Sequence, residues 1–224
     1  MRLASACISL GITLMTLTAC DVSVTVGGQE DGLKGSGVEA SETREVGPFQ
    51  RVRIDGAGTL ELSTGELSPL TLTGDDNILP LIETTVEDGL LVIRPTESIS
   101  PDTDLVFRAT VPDLTSVGCA GAANIVATGL DAQTFAIEVR GAAQVDASGK
   151  TGDLSIDVAG AGSVDTVELK AQDVTVDLKG ACNAVVHADK TLAVTIAGIG
   201  GVRYDGDAKL VKKEVSALGF VKKR

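Results

Sequence analysis

The chain of 224 residues is 43% hydrophobic, yet it sets 31 Asp and Glu against 19 Lys and Arg, a formal net charge of −12. So acidic a chain repels phosphate backbones and anionic lipid heads, which argues against a nucleic-acid partner. One Tyr, four Phe and no Trp leave few stacking platforms for sugars or bases.

Residues 1–19 read as a targeting leader: Arg2 is the positive start, and a mostly apolar run from Leu3 to Leu17 follows. That run is too short to cross a bilayer and fits a secretory signal. Leu17-Thr18-Ala19-Cys20 resembles a bacterial lipobox. The resemblance implies cleavage between Ala19 and Cys20 and acylation of Cys20, with palmitate-type chains anchoring the product to a membrane. Asp21 resembles the inner-membrane retention signal of enteric bacteria, although the choice of membrane stays open.

Residues 20–46 are rich in Gly, Ser, Glu and Asp and poor in large apolar side chains, the composition of a flexible tether. A domain is expected over 47–224. Val52 to Leu62 reads as strand, Gly56-Ala-Gly58 turn and strand. Leu70-Thr-Leu72, Leu90 to Ile93 and Leu105 to Val111 read as further strands, with a turn at Glu87-Asp88-Gly89 and a loop after Arg94.

From Gly121 onward the chain repeats. Turn glycines fall at Gly121, Gly141, Gly160, Gly180 and Gly198, steps of 20, 19, 20 and 18 residues. Two before each glycine stand Cys119, Val139, Val158, Leu178 and Ile196; four before stand Val117, Ile137, Ile156, Val176 and Val194. Four after stand Ile125, Val145, Val164, Ala184 and Val202. Alternation at period two puts each set on one face, and units this short have no room for a crossover helix. The expected fold is therefore all-β, a right-handed parallel β-helix-like solenoid with coils of about 18–20 residues. An antiparallel sandwich is the rival arrangement. The last strand, Glu214 to Val221, is flanked by Lys212, Lys213, Lys222, Lys223 and Arg224, which reads as edge protection, with a docking patch as the alternative.

The order of three elements resembles the head-GIN domain family, bacterial proteins labelled auto-transporter adhesins. They are Gly74-Asp-Asp-Asn77, then Ile82-Glu-Thr-Thr-Val-Glu-Asp-Gly-Leu-Leu-Val-Ile93, and a closing Gly200-Gly-Val-Arg-Tyr204-Asp-Gly206 after repeated Gly-Ala units. The likeness runs from about 49 to 221 and departs from the family at Ser216-Ala-Leu-Gly-Phe220. It implies a β-helical, envelope-exported protein, often a lipoprotein, without an established enzymatic activity.

Three before each glycine lies a polar column of Glu138, Asp157 and Asp177, ending in Thr195. Stacked carboxylates ~4.8 Å apart repel, so this ladder is either a solvated face balanced by Arg140 and Lys179 or a cation site of the Ca²⁺ type. A second column, Asn124, Gln144, Ser163 and Asn183, serves the corner or a ligand. Asp75-Asp76-Asn77 is a turn sequence acidic enough to suggest a cation. His187 is the only histidine, so no multi-histidine metal site can be built. Cys119 and Cys182 sit three coils apart, roughly 14 Å along a stack, beyond the ~7 Å a disulfide spans; both are expected as buried free thiols. No catalytic residue and no resident cofactor is assigned. The expected function is a non-enzymatic envelope lipoprotein of adhesin or binding-module type, facing an envelope protein or a polysaccharide. The alternatives are a carbohydrate-active enzyme using the acidic ladder and a structural envelope factor without ligand.

Overall fold

The computed structural model describes residues 32–224, so the leader, Cys20 and Asp21 lie outside the described residues. Short strands come first: β1 (Leu33–Lys34), β2 (Glu39–Arg44), β3 (Arg51–Ile54) and β4 (Ala57–Thr64). Then come β5 (Leu70–Asp75), a 3₁₀ turn (Leu79–Leu81), β6 (Ile82–Glu87), β7 (Leu90–Pro95), β8 (Ile99–Ser100) and β9 (Val106–Val111). β10 (Ser116–Cys119), β11 (Ala122–Asp205) and β12 (Lys209–Lys223) complete the chain. The protein is all-β.

β11 is 84 residues of extended backbone that bends at the glycine corners and keeps going. The bends are possible because Gly160 and Gly162 hold φ of +154° and +150°, a region closed to residues with a Cβ. They are also obligatory for packing. A Cβ at Gly160 would strike the carbonyl oxygen of Gly141, and one at Gly162 that of Ala143. Each corner thus rests directly on the corner before it.

Every repeat crosses two walls. The leading wall precedes the corner and the trailing wall follows it. On the leading wall Ser116–Cys119 pairs in parallel with Ala136–Val139 on one side and with Arg51–Ile54 on the other. On the trailing wall Ala122–Thr128 pairs in parallel with Ala57–Ser63. At the far end Thr191–Tyr204 pairs in parallel with β12, with one irregularity after Leu192 that leaves Val211 without a partner. Inside, like lies over like: Phe135, Leu154, Val174 and Leu192 are all buried, as are Ile125, Val145, Val164, Ala184 and Val202. This single apolar core runs the length of the described chain.

The sheet as a whole is mixed, and this corrects the purely parallel right-handed β-helix expected from the repeat. β2 pairs antiparallel with β5, β5 with β9, and β6 with β7. The reason is local. Asp88 and Gly89 both hold positive φ, +48° and +72°, as a two-residue hairpin turn demands, and such a turn can join only antiparallel strands. Residues 65–115 also leave the stacking order. The chain departs after β4, builds β5 to β9 beyond β3 and β4, and returns, so β10 lands beside β3 with a register offset of 65 residues.

β1 and β2 fall inside the stretch expected as tether. β1 pairs in parallel with β8, and β2 hydrogen-bonds along all of β5. Glu39-Ala-Ser-Glu-Thr-Arg44 reads as linker because it buries little, but an edge strand can be recruited by its backbone and by polar side chains. Arg44 shows how: its guanidinium donates to the carbonyls of Ile82 (2.5 Å) and Leu79 (3.0 Å).

Candidate functional site

The two walls differ on the outside. The outer face of the leading wall is charged and self-neutralising. Arg140 makes a two-pronged pair with Asp157, both contacts at 3.2 Å, and Lys179 reaches Asp177 at 3.2 Å. Arg53 likewise holds Asp55 through two contacts of 2.8 Å. The ladder of Glu138, Asp157 and Asp177 is therefore interleaved with bases that relieve its repulsion. Among the described residues no group of three His, Cys, Asp or Glu side chains is placed to hold a metal ion.

Beside the corners the outer face of the trailing wall is mostly neutral and polar, with Asp104 the one charged residue along the cleft. There Thr59, Asn124, Gln144 and Ser163 line an open cleft of about 570 Å³ whose floor is Gly58, Ala122, Ala142 and Gly162. Cross-strand register builds it: Thr59 lies opposite Asn124, and the repeat carries the row on to Gln144 and Ser163. The floor is low because only small residues fit where corners touch. The amide column does not bond to itself. Gln144 donates to Asp146 at 3.2 Å, and no side-chain hydrogen bond links Asn124, Gln144, Ser163 and Asn183 to one another. These amides are exposed and free to meet a ligand.

Sequence reasoning missed a second cleft on the same face, of about 520 Å³, lined by Thr43, Ser63, Ser68, Thr71, Thr110 and Thr128 around the Glu61–Arg108 pair. Ser63 and Thr110 share a hydrogen bond of 2.9 Å. The signal was present only as alternating hydroxyls on separate strands, which no local pattern joins.

The remaining candidates have structural surroundings. Asp75 is fully buried. Burial pushes its carboxyl up, but the backbone N–H groups of Thr103, Gly37 and Asp102 donate to it and together hold it below the usual range. Asn77 donates to the Lys34 carbonyl (2.8 Å) and accepts from the Ser36 N–H (2.9 Å). The Gly-Asp-Asn signature is thus a latch that gathers residues 34–37 and 102–103. Cys119 and Cys182 are buried free thiols, each pushed up in pKa chiefly by burial, and so protonated and poor nucleophiles at neutral pH. His187 sits between Lys170 (3.3 Å) and Asp189 (3.0 Å) on an outer surface.

A family model described as "Putative auto-transporter adhesin, head GIN domain" matches residues 48–208. The chain belongs to the head-GIN domain family. No curated protein matches it. This head-GIN chain resembles a solved "putative adhesin" from Bacteroides fragilis at 18% identity and TM-score 0.66, over 86% of this chain and 100% of that one. It is also similar to a "putative adhesin" from Parabacteroides merdae, at 20% identity and TM-score 0.53 over 86% and 98%. A "putative lipid binding protein" from Parabacteroides distasonis aligns at 19% identity and TM-score 0.51 over 86% and 99%. At these identities the likeness establishes the fold.

Proposed function

We propose that this head-GIN protein is a non-enzymatic binding module of adhesin type, exported to the cell envelope and held to a membrane through acylated Cys20. In this reading the polar corner face of the trailing wall is the working surface, and its occupant is a linear polymer of the envelope or of an outside surface. The observation that carries it is the corner cleft: amides and hydroxyls from β4 and three successive passes of β11, ~4.8 Å apart, over a floor of Gly and Ala. A flat row of donors and acceptors suits a chain rich in hydroxyls, such as a polysaccharide, and the repeat supplies the extended face. The adhesin label of the family supports the same class of role, and the lipobox-like leader supports the address.

The test is direct. Glycan-array binding by the full chain is expected to fall at least tenfold in Asn124→Ala/Gln144→Ala while the melting temperature holds. Equal binding by the variant would sink the cleft as the site. Mass spectrometry of the membrane-extracted chain reads acylation at Cys20; an unmodified thiol there removes the anchor.

A further inference from the structure

The two ends of the sheet carry opposite charge. Residues 203–224 hold seven Lys and Arg against three Asp and Glu, whereas residues 32–115 hold six against fifteen. The charges sit on the outermost strands, of which β6 is partly occupied: the Arg44 guanidinium takes its Ile82 carbonyl, and residues 44–48 line a cleft with Thr84 and Val86. Among the described residues the sheet ends in β6 on the leading wall and β2 on the trailing wall at one end, and in β12 across both walls at the other.

The edge strands are complementary in charge on the leading wall. β12 brings Lys209, Lys212 and Lys213 along the leading wall, and β6 with its turn brings Glu83, Glu87 and Asp88. On the trailing wall β12 ends in Lys222 and Lys223, with Arg224 just beyond it and paired to Asp205, and β2 brings Glu39, Glu42 and Arg44, the last in the column that Lys223 ends. Several of these charges already have partners within the chain: Lys212 with Glu214, Lys223 with Asp207, Arg44 with Glu42 and Arg94 with Glu83. Lys209, Lys213 and Lys222 have no carboxylate partner, and Glu39 and Glu87 no base, among the described residues. All five are exposed.

The open end also selects against an occupant that is apolar throughout. Register places Lys213 opposite Val194, so the buried column Ile137, Ile156, Val176, Val194 stops in a lysine. Lys223 likewise lies opposite Tyr204, in the column of buried Ala147, Thr166 and Val186. Around them Ile199, Leu210, Val211, Leu218 and Phe220 are exposed, five of the eight large apolar side chains so exposed among the described residues. Whatever covers this end must offer a strand, apolar contact and carboxylates together. Two β12 edges brought face to face would set like charges against each other and repel. A lipid surface supplies no strand to the free N–H and C=O groups of β12.

We infer that the basic β12 edge of one copy seats on the acidic β2 and β6 edges of the next, so that copies join head to tail with leading wall continuing leading wall. Strand directions then place β12 antiparallel to β6 and parallel to β2. A contact between two different surfaces of identical subunits leaves one of each surface free at the ends, and because each copy here continues the stack of the last it propagates as a filament and not a ring. The proposal is independent of which ligand the trailing wall takes.

Sedimentation velocity of the full chain tests it. The weight-average sedimentation coefficient is expected to rise with concentration at low salt and to return to the monomer value in ~1 M salt, where the screening length shrinks to about 3 Å. Lys209→Glu/Lys213→Glu/Lys222→Glu and, separately, Glu39→Lys/Glu87→Lys are each expected to stay monomeric. An equimolar mixture of the two is expected to assemble again, because each supplies the end the other has lost; that recovery excludes misfolding as the cause. A wild-type chain that remains monomeric at every concentration overturns the proposal. So do assembly that survives both charge reversals, assembly that stops at a closed dimer, and flotation with anionic vesicles in the absence of self-association.

Discussion

The repeats after Ser116 and the strands before it reach the same end by opposite means. The repeats are held by geometry shared at every level: apolar columns inside, and glycine corners in backbone contact. No single polar contact is indispensable to them. The N-terminal region is out of sequence order, mixed in strand direction, and tied by individual polar groups, chiefly Asp75, Asn77 and Arg44. A repetitive object resists the loss of any one side chain on its surface but not a change to its backbone joint. A cap assembled from distant segments has the reverse weakness.

Four substitutions probe that contrast. The largest effect is expected at the corner. Gly162→Val puts a branched side chain at φ +150° against the Ala143 carbonyl and should cost about 4 kcal/mol or more in denaturant unfolding. Gly37→Ala in the cap, at φ +73° with open space around it, should cost only ~1 kcal/mol. Equal costs would erase the distinction.

Next comes Asp75. Its carboxyl is held below the usual range, so its contribution is complete above about pH 4 and is lost as pH falls through the depressed folded-state value. Hydrogen exchange on acidification should therefore open the amides of Gly37, Asp102 and Thr103 before those of Ile156 or Val176. Asp75→Asn should open the same amides first at neutral pH. Simultaneous loss of protection everywhere would show that cap and repeats unfold as one.

The smallest effect is expected at Arg140→Ala. The pair with Asp157 is half-exposed, and such pairs contribute at most ~1 kcal/mol. A larger loss would mean that the charged ladder is a structural element after all.

The repeat was readable because alternation and glycine spacing report the same columns. Ile137, Ile156, Val176 and Val194 could be aligned on paper and are buried together. The cap was not readable in this way. β2 looks like linker because its stabilisation comes from β5, some thirty residues away, and from Arg44 reaching the 3₁₀ turn. The offset of 65 residues between β3 and β10 has no local signature either. The site was half visible. Asn124, Gln144, Ser163 and Asn183 stood out as a column, whereas the hydroxyl cleft draws Thr43, Thr110 and Thr128 from three strands and Ser68 from a loop, and exists only once those segments meet.

The stacked corners make the molecule a ruler. Each corner rests on the one beneath through the same joint, Gly160 on Gly141 and Gly180 on Gly160, and neither joint senses how many others there are. Height can therefore change only in whole steps of ~4.8 Å, one per duplicated or deleted repeat. Evolution can tune how far apart the two ends of the stack stand by copying a sentence of about twenty letters.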